Sequence, residues 1–71
     1  MNRINPDKLK HSKWTATHIL NKEKHFLVVK VIPDDNDRVI GCELQAILTR
    51  TVYHIDWQEL KDSSRWLMGW K

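Results

Sequence analysis

Four tryptophans, Trp14, Trp57, Trp66 and Trp70, stand in a chain of 71 residues, and they are the side chains best equipped to meet a partner. A buried indole supplies a large apolar area but needs an acceptor for its N–H, whereas an exposed one anchors an interface or offers a plane on which bases stack. The second chemical resource is positive charge. The first thirty residues hold seven basic side chains (Arg3, Lys8, Lys10, Lys13, Lys22, Lys24, Lys30) against Asp7 and Glu23, a local charge of +5. The remainder holds five (Arg38, Arg50, Lys61, Arg65, Lys71) against seven acids, a charge of −2. Such segregation builds a basic face suited to phosphate backbones or acidic partners, although lysine-rich surface is also what an ordinary solvated domain carries. Lysines tracking phosphate beside tryptophans stacking on bases is the chemistry of nucleic-acid or ribosome binding. The residues placed for it are Lys10, Lys13, Lys22, Lys24, Lys30, Arg65, Trp66 and Trp70. Lys13 and Trp14 do not serve one face together, because neighbours in a strand point oppositely.

A protein partner is the alternative. Tryptophan-lined grooves receive proline-rich or extended peptides, and the acids of residues 34–37 and 56–62 would bias such a groove toward basic ones. Salt separates the two readings, since phosphate contacts weaken steeply with ionic strength.

Catalysis has no visible seat. With Gly41 and Gly69 as the only glycines there is no phosphate-cradling loop, and no serine sits in a nucleophile elbow. Cys42 falls on the inward side of a strand pattern, where a cysteine acts as a small hydrophobe and not as a reactive thiol. His11, His18 and His25 recur every seven residues, a spacing that aligns side chains on a helix and has no ligand meaning across turn and strand. Asp34, Asp35 and Asp37 lack the glycine and distal glutamate of a calcium loop and read as a turn. The expectation is a protein that is not an enzyme, with no cofactor and no metal.

The elements that must position these residues follow from a period of two. Ile40, Cys42, Leu44, Ala46 and Leu48 alternate with Gly41, Glu43 and Gln45, which predicts a half-buried strand over residues 39–48 with the first set inward. Residues 25–32 are β-branched and apolar on both sides, with Leu27, Val29 and Val31 opposite Phe26, Val28, Lys30 and Ile32. Pro33-Asp34-Asp35-Asn36-Asp37-Arg38 between them joins the pair as a hairpin. Residues 51–57 alternate again, Tyr53, Ile55 and Trp57 inward, after a tight reversal at Thr49-Arg50 that lacks glycine. A shorter strand over residues 13–17 points Trp14 and Ala16 one way.

Helical signals mark the two ends. Asn5-Pro6-Asp7 is a cap, a first-turn proline and a first-turn acid, enough for one turn carrying Leu9 onto the sheet. Asp56-Trp57-Gln58-Glu59 has capping-box spacing and predicts a short helix through Leu60 and Lys61. One further turn in residues 63–70 would set Trp66 and Trp70 on a single face at i and i+4. The fold expected is all-β: a small antiparallel meander curled into an SH3-like or OB-like barrel, with a short helical turn at each end. An open sheet closed off by the C-terminal turn is the competing architecture. Trp57, Trp66 or Leu60 would cover its exposed face.

Size admits one domain over residues 1–71 with a single core. A lone cysteine excludes an internal disulfide and fits a reducing compartment, so the expected location is cytoplasmic. The polar first ten residues are no secretory signal and no run reaches spanning length, so no membrane partner is expected.

Several separated blocks also match, in order, a known pattern. Asn5-Pro6-Asp7-Lys8-Leu9, Ser12-Lys13-Trp14-Thr15-Ala16, Lys24-His25-Phe26, and Asp56-Trp57-Gln58-Glu59-Leu60-Lys61-Asp62-Ser63-Ser64-Arg65-Trp66 with Gly69-Trp70 are its carriers. On these the chain resembles the small tryptophan-rich proteins of unknown function found in proteobacteria and cyanobacteria. The resemblance covers nearly the whole chain and implies a stand-alone bacterial protein whose hallmark tryptophans are Trp14, Trp57, Trp66 and Trp70. It implies no activity and assigns no catalytic or binding residues.

Overall fold

Alternation of apolar and polar residues becomes five strands in the computed structural model, which describes all 71 residues. They are β1 (Lys13–Leu20), β2 (Glu23–Pro33), β3 (Val39–Ala46), β4 (Val52–Ile55) and β5 (Trp66–Met68). All neighbours are antiparallel, in the order β4-β3-β2-β1-β5. The first four form the expected meander. The expected closure does not occur: β4 and β5 are the two free edges of an open sheet. The chain leaves β4, crosses one face of the sheet through a 3₁₀ turn (Trp57–Lys61), and returns to the far edge as β5. The fold is therefore all-β with short 3₁₀ turns, and no helix is long and apolar enough to cross a membrane.

Both helical signals are used. Asn5 caps the Pro6–Lys8 turn by accepting from the Asp7 N–H at 3.0 Å, and Asp56 caps the Trp57–Lys61 turn by accepting from Gln58 N–H at 2.9 Å. These turns bring Leu9, Trp57 and Leu60 down onto Trp14, Phe26, Val28, Cys42, Leu44 and Ala46 to make the core. Ile4, Val31, Val39 and Ile55 pack around it. Trp57 and Leu60 are thus the cover that the apolar sheet face requires.

Residues directly opposite across the ladder share a face, so the register assigns both sides of the sheet. Trp14 pairs with Phe26 and Phe26 with Ala46; Val28 pairs with Leu44 and Leu44 with Tyr53; Val31 pairs with Cys42 and Cys42 with Ile55. These rows make the covered face. The inward set shifts from even to odd numbers within β2 because Val28 opposes Leu44 while Lys30 already opposes Glu43, leaving Val29 as an extra residue. A second slip, between Ile32 and Pro33, leaves Ile40 without a partner, and it is 53% exposed and not inward as its position in the alternation implies. Leu48 is likewise outside, 69% exposed, because β3 ends at Ala46 and residues 47–50 make the reversal.

The reversals are built without glycine. Asn21 and Lys22, both at positive φ, turn β1 into β2 in the manner of a type I′ hairpin, which lengthens both strands beyond the residues the alternation marks. In the 33–38 loop the Asp34 carboxylate accepts from the Asn36 and Arg38 N–H groups at 2.8 and 2.9 Å. Arg50 takes the left-handed conformation where the chain folds back into β4, its N–H donating to Ala46 O at 2.8 Å.

The C-terminal segment is a strand and not the helical turn its spacing suggests. Asp62 accepts from both the N–H and the hydroxyl of Ser64, at 3.0 and 2.6 Å, which turns the chain out of the 3₁₀ segment and onto the β1 edge. Trp66 then pairs with Ala16, Leu67 with Thr15 and Met68 with Trp14. Gly69, at φ +80°, bends the chain across the sheet edge. Trp66 and Trp70 consequently belong to opposite faces.

Candidate functional site

The eight residues singled out by charge and aromaticity do not meet at one place. Lys13, opposite Leu27, and Lys30, opposite Glu43, stand on the uncovered face of the sheet. Trp70 lies across that face: the Lys13 ammonium is 4.8 Å from its ring centre, the His25 ring is 6.0 Å away, and its indole N–H donates to Phe26 O at 2.9 Å. Thr15 ties this strap down, donating to Gly69 O at 2.7 Å and accepting from the Lys71 N–H at 2.9 Å. Lys22 and Lys24 flank the start of β2, Lys22 within the reversal itself, and Lys10 precedes β1. Arg65 and Trp66 belong to the other face.

On that covered face the lid is incomplete. Leu9, Trp57 and Leu60 close over the rows around Val28 and Cys42, but toward the start of β2 the sheet faces a pocket of about 470 Å³. Three rings converge there. Phe26 meets Trp66 edge-on at 5.2 Å and 83°, and meets Tyr53 at 6.2 Å and 60°. Ala16, Leu20, Leu44 and Ile55 complete an apolar wall, while Glu23, Glu59, Arg65 and His18 supply the polar groups. The size and the mix, a mainly apolar lining with a few polar groups, are those of a ligand site.

Three of the four indoles have their N–H groups bonded within the protein. Trp14 donates to Ser12 Oγ at 2.8 Å, Trp57 to Val39 O at 2.8 Å, and Trp70 to Phe26 O. Trp66 has no such acceptor, and no buried polar side-chain atom in the protein is left without a partner, so its N–H is open to solvent.

Glu23 dominates the electrostatics of the pocket. It is only 5% exposed, yet its carboxylate accepts from the Tyr53 hydroxyl at 2.5 Å and from the Thr49 hydroxyl. Those hydroxyls, Thr49 first, hold its pKa below the ordinary glutamate value, so it is ionised at neutral pH. The same bond raises the Tyr53 pKa, since the phenol cannot ionise without facing that charge. Arg65 reaches Glu59 at 3.7 Å, with both side chains largely exposed, and makes no ion pair with Glu23. None of the aspartates in residues 34–37 or 56–62 lines the pocket. Cys42 lies beneath the cover, where burial above all, and then Asp56 and Glu59, push its thiol up to about 11. No group of three or more histidine, cysteine, aspartate or glutamate side chains stands close enough to hold a metal ion.

Charge counting and tryptophan spacing miss Glu23, Phe26 and Tyr53. The only trace in the chain is the run of hydroxyls Thr49, Thr51 and Tyr53 leading from the reversal into β4.

No curated protein and no solved structure matches this chain. A family model does, over residues 12–71, a span that includes all four tryptophans and every residue of the pocket. With that coverage the assignment is direct: the chain belongs to the tryptophan-rich protein family DUF2389.

Proposed function

We propose that this protein is a non-enzymatic interaction module whose pocket, walled by Phe26, Tyr53 and Trp66, receives a side chain from an extended segment of a protein partner. The observation that carries this reading is the convergence of three rings on an open volume of about 470 Å³ in a domain of 71 residues, Phe26 at the edge of the core and Tyr53 and Trp66 only partly covered beside it. The free edge of β4 supports it. Tyr53 and Ile55 line the pocket from an edge strand, so an extended segment added alongside β4 would bond to the backbone there and carry alternate side chains over the sheet face that holds the pocket.

Selecting a random peptide library against the protein and mapping the selected peptides by amide chemical shifts tests the reading. Peptides should move Phe26, Leu44 and Tyr53 and the indole signal of Trp66, and Trp66→Ala should abolish binding while Trp70→Ala leaves it intact. Peptides that move only Lys13, Lys30 and Trp70 would refute it.

Nucleic-acid binding remains a second reading because Lys13, Lys30 and Trp70 share the opposite face. It is the weaker one. Lys13 is already engaged with the Trp70 ring, Glu43 stands beside Lys30, and Trp66 is on the wrong side to extend the stacking surface. Binding of single-stranded RNA that falls steeply with salt and is lost on replacing Lys13 and Lys30 by glutamine would favour it.

A further inference from the structure

Taking the pocket as the recognition site, we infer that the group it accepts is an organic cation on an apolar stem, the ammonium or guanidinium of a lysine or arginine side chain presented by the partner. The first ground is an imbalance of charge. Glu23 is almost fully withdrawn from water, and its two oxygens are met by neutral hydroxyls from Thr49 and Tyr53 with no cation opposite. The only ion pair in the protein, Arg65 with Glu59, is elsewhere on the pocket lining. The hydroxyls stabilise that carboxylate by hydrogen bonding but leave its charge unneutralised, and a ligand cation supplies the counter-charge.

The second ground is the wall. Phe26, Tyr53 and Trp66 present aromatic surface whose ring faces are electron-rich, and such surface attracts an alkylammonium or guanidinium while also accepting its methylenes. Ala16, Leu20, Leu44 and Ile55 offer the aliphatic contact that a three- or four-carbon stem requires. The third ground is exclusion. A carboxylate or phosphate in this volume would oppose the Glu23 charge, with only Arg65, already turned toward Glu59, to offset it. A purely apolar side chain would leave that charge as it stands.

The test compares a cation with a neutral probe of the same size. Pentylammonium and its neutral isostere 1-pentanol, with propylguanidinium as a second cation, are titrated into the labelled wild-type protein, following the Trp66 indole and the amides of Phe26 and Tyr53. At least one cation should bind about tenfold more tightly than pentanol, the scale expected of a desolvated cation–π contact joined to a carboxylate. Glu23→Gln, which keeps the size of the side chain but removes its charge and turns one acceptor into a donor that a hydroxyl can accept from on rotating, should bring that cation down to the level of pentanol and leave pentanol unchanged. The wild-type comparison needs no variant, so it decides even if Glu23→Gln fails to fold. Equal binding of cation and alcohol would overturn the cation inference while leaving the pocket as a binding site. No shift of the pocket signals by any of the three would remove both.

Discussion

Replacing Trp66 by alanine should cost this protein about 3 kcal/mol, and the figure can be built from its surroundings. A tryptophan side chain carries on the order of 200 Å² of surface, and the Trp66 ring is mostly covered, packing against the core and edge-on to Phe26. At about 25 cal/mol per Å² the removed burial amounts to roughly 3–4 kcal/mol, and residual compactness of the denatured chain lowers this to about 2–3. The lost edge-to-face contact adds about 0.5–1.5 kcal/mol. The β5 ladder uses backbone groups and survives the change. Trp70→Ala should cost less, about 1–2 kcal/mol, because its ring is 44% exposed and gives up one hydrogen bond and one cation–π contact. Urea denaturation followed by far-UV circular dichroism reads both, with an unchanged m-value showing that the loss lies in stability and not in the compactness of either state. In a domain this small the melting temperature should fall by roughly 10–20 °C for Trp66→Ala. A loss below about 0.5 kcal/mol would show that Trp66 is a surface residue and that the wall it forms is not packed as described.

Three further outcomes follow from titrating groups. Glu23 has a depressed pKa in the fold, so its contribution is present above the ordinary glutamate value of 4.5 and is lost as pH falls through the folded value; Glu23→Gln should flatten the acid limb of the stability curve, and an identical limb in both proteins would contradict the bonding described. Tyr53 acts in the opposite sense, its contribution complete below the ordinary tyrosine value of 10.0 and lost as pH rises through the raised one, so Tyr53→Phe should remove part of the alkaline limb. Cys42, buried and with its thiol raised to about 11, should resist a disulfide reagent in native buffer and label only as fast as the protein opens, as followed by the rate in increasing urea. Labelling at the rate of a free thiol would place it outside the core.

The strands were legible because alternation is a local signal tied to burial on one face. Cys42, Leu44 and Ala46 are inward as their spacing says, and both capped turns form where Asn5-Pro6-Asp7 and Asp56 announce them. What failed to show depends on register between strands. Val29 and Ile40 carry the same apolar character as their neighbours, and nothing in their identity says that the partner strand skips them. The reversals at Asn21-Lys22 and Arg50 adopt left-handed backbone without glycine, so the usual marker was missing. A helical turn in the tail would have set Trp66 and Trp70 on one face, yet the bonds from Ser64 to Asp62 send the chain along β1 instead. The pocket was hidden for a related reason. Glu23 and Phe26 come from β2, Tyr53 from β4 and Trp66 from β5, and only the sheet order and the crossover bring them together.

The crossover that carries the chain from β4 to β5 also governs when the molecule can become whole. Asn2 donates from its backbone to Lys61 O at 2.9 Å and from its side chain to Leu60 O and Trp66 O at 2.8 and 2.7 Å, while Lys71 is held by Thr15. Each of these contacts closes a loop spanning most of the chain, and loops of that length are entropically slow to find. The meander from β1 to β4 has only neighbouring strands to pair and can assemble early. Its apolar face is covered only by the Trp57–Lys61 turn and β5, so a chain with the meander alone would carry an uncovered sheet and an unpaired β1 edge. Aggregation during folding, more than instability once folded, is then the hazard this topology carries.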